Sequence, residues 1–125
     1  IFDNKSGLPG VDFLAPLLFS EGVIQRGLDI RRYAELLSTA PAQRFGLSPH
    51  KGAIQIGADA DITIIDPTQT WTVDGSLTHS IAATSPYHGR RLTGRVTHTF
   101  VRGNLVYDGT KVCGEAGWGQ FVRPA

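Results

Sequence analysis

The chain has 125 residues, with 12 Lys and Arg against 11 Asp and Glu and a formal net charge of +1. Hydrophobic residues make up 41% and charged residues 18%, enough apolar side chains for a core, so global disorder is excluded, and the balanced charge offers no basic field for nucleic acid or an anionic membrane. No apolar run approaches a transmembrane length, and the single cysteine, Cys113, excludes an intrachain disulfide and a cysteine-cluster metal site.

Residues 1–11 are rich in Gly, Pro, Ser and Asn and read as a loop. Asp12 is placed to cap a following helix. From Phe13 to Arg26, Leu14, Leu17, Leu18, Val23 and Ile24 recur at helical spacing, with Pro16 near the start, Gly22 as a possible interruption and Gly27 as a stop. Asp29 reads as the N-cap of a second helix, whose apolar face is Ile30, Tyr33, Ala34, Leu36 and Leu37. Thr39-Ala40-Pro41 is expected to break it and start a short third helix with Pro41 in its first position.

The pattern changes after Leu47. Residues 48–52 form a connector, and Asp61 to Pro67 is a β-branched run that reads as a strand ended by Pro67. Residues 70–73 alternate as a second short strand, and most of 75–93 is expected to be loop. Arg95 to Val101 alternates cleanly, Arg102-Gly103-Asn104 is a turn, and Leu105 to Tyr107 returns as its hairpin partner. The glycine-rich tail from Gly109 is expected to be an irregular arm. Helices followed by strands point to two units with a junction near residue 50.

Methionine is absent and residue 1 is an isoleucine. The chain is therefore expected to be the C-terminal piece of a longer protein, or a processed chain. The residues also form no complete catalytic set. No two of His50, His79, His88 and His98 stand at HxH or HExxH spacing, and there is no G-x-S-x-G elbow and no phosphate loop. Asp59 and Asp61 read as turn and capping residues, and Cys113 as inert.

The ordered motifs add a resemblance. Pro41-Ala42, Phe45-Gly46-Leu47, Lys51-Gly52-Ala53-Ile54, Gly57-Ala58-Asp59-Ala60-Asp61 and Asp66-Pro67 follow one another as in cyclic amidohydrolases. Residues 85–109 match that family's SPY.G..L.G.V..T..RG..VYD pattern. The chain thus resembles the C-terminal portion of allantoinase, dihydroorotase and dihydropyrimidinase or hydantoinase, with GWGQFVRPA at 117–125 most like allantoinases and dihydropyrimidinases and the whole closest to allantoinase.

The resemblance implies an α/β fold: residues 1–50 as the last loop and helices of a (β/α)8 barrel, and residues 51–125 as the C-terminal part of a small β-sandwich. It implies a cytoplasmic, homo-oligomeric enzyme, dimer or tetramer, in which a metal-activated hydroxide attacks a small cyclic amide or ureide. Two zinc-like divalent metals and the catalytic aspartate would be supplied by the N-terminal barrel portion. Asp3 lacks that aspartate's context, so no catalytic or metal-binding residue is assigned to this chain, and it is expected to hold no cofactor itself. By resemblance, Ser6, Gly7, Pro9 and Gly10 belong to a loop whose backbone contacts the substrate's ring amide. Two other readings remain open: a fragment of a non-catalytic assembly or signalling protein of the same fold, and a free-standing β-rich binding module.

Overall fold

Apolar spacing and two capping signals organise the N-terminal third. The computed structural model describes residues 9–80 and 85–124. The first helix, residues 11–26, begins as a 3-10 turn, Val11–Phe13, passes through an α turn, Leu14–Leu17, and widens into a π segment, Leu18–Ile24. Asp12 is not its cap, because Gly10 holds that position and Asp12 lies inside the 3-10 turn. Gly22 does not interrupt the helix. Its missing side chain leaves room for Leu28, whose Cδ2 would lie 3.2 Å from a Cβ there. Gly27 then reverses the chain at φ 68°, and the Leu28 N–H donates to the Gly22 carbonyl at 2.9 Å.

Asp29 caps the second helix as its sequence position predicts, accepting the N–H of Arg31 at 2.7 Å and of Arg32 at 3.4 Å. The expected break at Thr39-Ala40-Pro41 does not occur. One helix covers residues 30–44, with a π segment, Glu35–Thr39, leading into the last turn, Ala40–Arg44. Proline has no N–H to return to the preceding turn, and its ring crowds a carbonyl there; the wider π turn before Pro41 takes up both demands. The two helices meet through Phe19 and Tyr33, edge to face at 5.5 Å, and the Tyr33 hydroxyl donates to the Ala15 carbonyl at 3.1 Å. Burial pushes the Tyr33 phenol up to about 12.

The three-stranded sheet is antiparallel in the order β1 (Ile62–Thr72), β2 (Arg91–Val101), β3 (Asn104–Tyr107). The two short strands expected at 61–67 and 70–73 are one strand. Pro67 falls in the register shift between Asp66 and Thr70, where the missing N–H costs no ladder bond, and pairing resumes at Thr70 opposite Thr93. β2 also starts at Arg91, four residues before the expected Arg95, so the loop assigned to 75–93 is shorter. The β2–β3 turn places Arg102 at φ 47° and Gly103 at φ 79°, the left-handed pair that a two-residue hairpin demands.

The core forms where the first helix lies on the sheet. Phe13, Val73 and Leu92 are buried there, flanked by Leu17, Trp71 and Tyr87. Phe13 meets Trp71 at 6.4 Å and the edge of Tyr87 at 6.3 Å. Farther along, the Phe19 ring lies so close to Gly94 that a Cβ there would stand 2.2 Å from Phe19 Cδ1. The Trp71 indole N–H donates to the Gly94 carbonyl at 3.0 Å, and the buried Ser20 hydroxyl accepts the Thr93 N–H at 3.0 Å. Glu21 joins both elements through Arg26 at 3.0 Å and Arg90 at 2.8 Å, and these guanidinium bonds hold its carboxyl below the usual range.

The tail is no free arm. Tyr107 bridges to Val112, and the Cys113 N–H donates to the Val106 carbonyl at 2.9 Å. Trp118 then settles on the hairpin, its indole N–H donating to the Val101 carbonyl at 3.1 Å and its ring lying 4.8 Å beneath the Arg102 guanidinium. On the far side of the sheet, β1 pairs with no strand other than β2 among the described residues.

Candidate functional site

Of the four residues expected to contact substrate, Ser6 and Gly7 lie outside the described residues. Pro9 and Gly10 are half-buried at the entrance to the first helix, where the Gly10 carbonyl accepts the Phe13 N–H at 3.0 Å. A Cβ at Gly10 would lie 3.6 Å from Tyr87 Cε2, so the loop end lies against Tyr87, which flanks the core of Phe13, Val73 and Leu92.

The pair beside it was not legible in the sequence. Asp12 Oδ2 accepts the His79 backbone N–H at 3.2 Å, and Oδ1 lies 3.0 Å from His79 Nδ1. Spacing carries no sign of it, because the residues are 67 positions apart. A carboxylate and an imidazole can orient a group or relay a proton, but no nucleophile stands in bonding range of this pair among the contacts described.

A second polar cluster joins the connector to the sheet. Lys51 bonds Asp59 at 2.8 Å and also Asp61, while Asp61 Oδ1 accepts the Arg102 N–H at 2.8 Å. Asp61 thus takes a backbone bond in keeping with its reading as a turn and capping residue. Desolvation pulls the Lys51 ammonium down, but its bonds to Asp59 and Asp61 prevail and hold it above its ordinary value. Desolvation likewise raises Asp61, and the bonds from Lys51 and Arg102 outweigh it, keeping the carboxyl below the usual range. Gly52 locks the same connector onto the second helix: at φ 93°, a Cβ there would stand 2.4 Å from Ala42 Cβ, and Thr39 Oγ1 donates to its carbonyl at 2.8 Å. Lys51, Asp59 and Asp61 edge a groove of about 610 Å³ whose apolar lining includes Leu14, Leu37 and Ile65.

The histidines stay apart. His79 holds Asp12, His88 Nδ1 accepts the Gly75 N–H at 3.0 Å, and His98 stacks on Phe100. Among the described residues, no three His, Cys, Asp or Glu side chains gather as a metal site. Among the described residues the donor set does not fit a catalytic metal pair. Also among the described residues, no helix is long and apolar enough to cross a membrane.

Known proteins share this geometry. D-phenylhydantoinase of Escherichia coli O1:K1 is 41% identical over 119 residues, which is 94% of this chain and 26% of the relative. The solved L-hydantoinase (dihydropyrimidinase) from Arthrobacter aurescens matches with a TM-score of 0.90 at 37% identity, covering 94% of this chain and 26% of that one. A D-hydantoinase (dihydropyrimidinase) from Thermus sp. gives a TM-score of 0.91 at 33% identity, covering 96% and 26%. The chain thus spans about a quarter of the length of the relatives it matches. These relatives do not support allantoinase as the nearest member of the family; hydantoinase is the closer likeness. The family model described as "Amidohydrolase family" matches residues 9–106. With most of its length inside that match and its fold shared with hydantoinases, the chain belongs to the amidohydrolase family.

Proposed function

We propose that residues 1–125 are the C-terminal share of a cyclic amidohydrolase that opens hydantoin- or dihydropyrimidine-class rings by hydrolysing a cyclic C–N amide bond. The observation that carries this reading is the joint match in sequence and backbone to hydantoinases over 94% of the chain. In this reading residues 1–50 close the (β/α)8 barrel and residues 51–125 supply strands of the β-sandwich. Two divalent metals and the proton-carrying aspartate belong to the remaining portion of the protein. The active form is a homo-oligomer, dimer or tetramer, in the cytoplasm. This chain contributes the loop ending at Pro9–Gly10 as a wall for the ring amide, and an aromatic floor that holds the loop in place.

The test is kcat/KM of the intact protein for hydantoin, dihydrouracil, allantoin and dihydroorotate. Hydantoin or dihydrouracil is expected to be preferred. Preference for allantoin or dihydroorotate would overturn the substrate assignment. Failure to hydrolyse any of the four would overturn the enzymatic reading and favour a non-catalytic assembly protein of the same fold.

A further inference from the structure

The bond made by His88 runs opposite in sense to that of His79. The N–H of Gly75, a buried residue, donates to His88 Nδ1 at 3.0 Å. A backbone N–H only donates, so Nδ1 offers its lone pair and the neutral ring carries its proton on Nε2. A further proton on this ring goes to Nδ1 and sets donor against donor. The packing leaves the two no room to slide past each other, since a Cβ at Gly75 would stand 3.0 Å from His88 Cβ and 3.0 Å from the Ser85 nitrogen. Protonation of the ring therefore breaks the bond.

A second partner stands beside the first. Asp74 Oδ1 lies 3.7 Å from the same Nδ1, and with 68% of the His88 side chain exposed, protons reach the ring from solvent. The Ser76 hydroxyl and N–H both donate to Asp74 and hold its carboxyl below the usual range, so it stays an anion wherever an imidazole titrates. Among the described residues, Asp74 is the charged group that faces His88. Arg90, on the same segment as the ring, is engaged by Glu21 at 2.8 Å, and His79, past the turn, by Asp12. The flanks hold without the ring: the Gly89 N–H donates to the Val73 carbonyl and the Val73 N–H to the Arg90 carbonyl, each at 2.9 Å. What the ring secures is the 3-10 turn Gly75–Leu77.

We propose that His88 is a pH-operated latch on the turn Gly75–Leu77: the neutral ring holds the Gly75 N–H, and protonation passes the ring to Asp74 and releases the turn. The hold is full where the ring is neutral and is lost as pH falls, because only the neutral form accepts. His79 responds in the opposite sense within the same stretch. Its Nδ1 faces the Asp12 carboxylate at 3.0 Å, and a carboxylate only accepts, so this nitrogen carries a proton in both charge states and keeps its bond on acidification. The latch is built from this chain's own groups and does not depend on which reaction the protein performs.

The experiment follows the intact protein between about pH 8 and pH 5, the range in which histidine changes charge. Amide hydrogen exchange, corrected for its intrinsic pH dependence, is expected to show the protection of Gly75 falling about tenfold on acidification, the size of one ordinary hydrogen bond. Nitrogen NMR of protein carrying isotope-labelled histidine should find His88 Nδ1 bare at the upper end and protonated at the lower, with His79 Nδ1 protonated throughout. His88→Asn, whose carbonyl oxygen can stand where Nδ1 stands, should protect Gly75 at every pH, and His88→Ala at none. Asp74→Asn, which keeps an acceptor for Ser76 but removes the charge, should move the fall to lower pH. A His88 Nδ1 protonated at the upper end, protection of Gly75 that ignores pH, an Asn variant with the wild-type fall, or a fall shared equally by the amides of 91–101 would each overturn the proposal.

Discussion

Gly94→Ala is the glycine substitution whose added Cβ would make the closest contact in the structure. Gly94 sits inside β2 at φ 97°, a conformation that an L side chain adopts at a cost of about 1–2 kcal/mol. Its new methyl group would stand 2.2 Å from Phe19 Cδ1 and 2.7 Å from Cε1, deep inside van der Waals contact. The first helix would have to lift or Phe19 leave its rotamer, an overpacking cost of about 1–3 kcal/mol. Strain and clash together come to about 2–5 kcal/mol, or roughly 30-fold to several-thousand-fold in the opening equilibrium. Gly103→Ala is the control: φ is 79° there, but no atom lies within 4 Å of the built Cβ, so only the strain applies. Amide hydrogen exchange of the peptide covering 91–101 in the intact protein reads the local opening directly. Gly94→Ala is expected to accelerate that exchange well beyond what Gly103→Ala does in its own turn. Removing the ring with Phe19→Ala should make the Gly94 substitution cost little more than its strain, a non-additive outcome that only a shared contact produces. Equal penalties at the two glycines, or additivity with Phe19→Ala, would refute the reasoning.

Three further outcomes follow from the polar turns and the exposed surface. The Asp108 carboxyl is held down to about 2, first by the Thr110 hydroxyl and then by the N–H groups of Lys111 and Thr110. Its contribution is full above the ordinary carboxylate pKa and is lost as pH falls from there through about 2; in a carboxyl NMR titration, Thr110→Val should shift the midpoint upward. Lys51→Met should raise the Asp61 midpoint in the same experiment, because the Lys51 bond that helps hold the carboxyl down is gone while its desolvation remains. The 125-residue chain on its own should sediment as oligomers, since Ile54 is 89% exposed, Phe121 86% and Phe45 67%; a monodisperse monomer with a sharp melt would count against this.

Much of the architecture is written in local chemistry. Asp29 and Gly27 mark helix ends because a carboxylate beside free N–H groups and a left-handed glycine act within a few residues of themselves. The alternation at 95–101 is visible for the same reason, being a property of one strand. Two of the misread elements are ones where a proline obeys a neighbour. Pro67 looks like a terminator until β2 is in place to show that its missing N–H falls in a register shift. Pro41 looks like a helix start until the preceding π segment is seen to absorb it. The first four residues of β2 were hidden by Gly94, a poor strand residue that is there to admit the Phe19 ring. The Asp12–His79 pair was the least accessible of all, because the fold alone brings residues 67 positions apart together.

The return of the tail along β3 gives the sheet a polarity of assembly. With the Val106 carbonyl occupied by Cys113 and the hairpin capped by Trp118, that flank offers an incoming strand little ladder to read. Among the described residues, the flank beyond β1 retains its template. Any extended segment that enlarges this sheet must therefore join at β1 and so lie beside the groove edged by Lys51 and Asp61. The tail acts as a stop at one margin, limiting a three-stranded ribbon to growth in a single direction rather than letting copies stack from both sides.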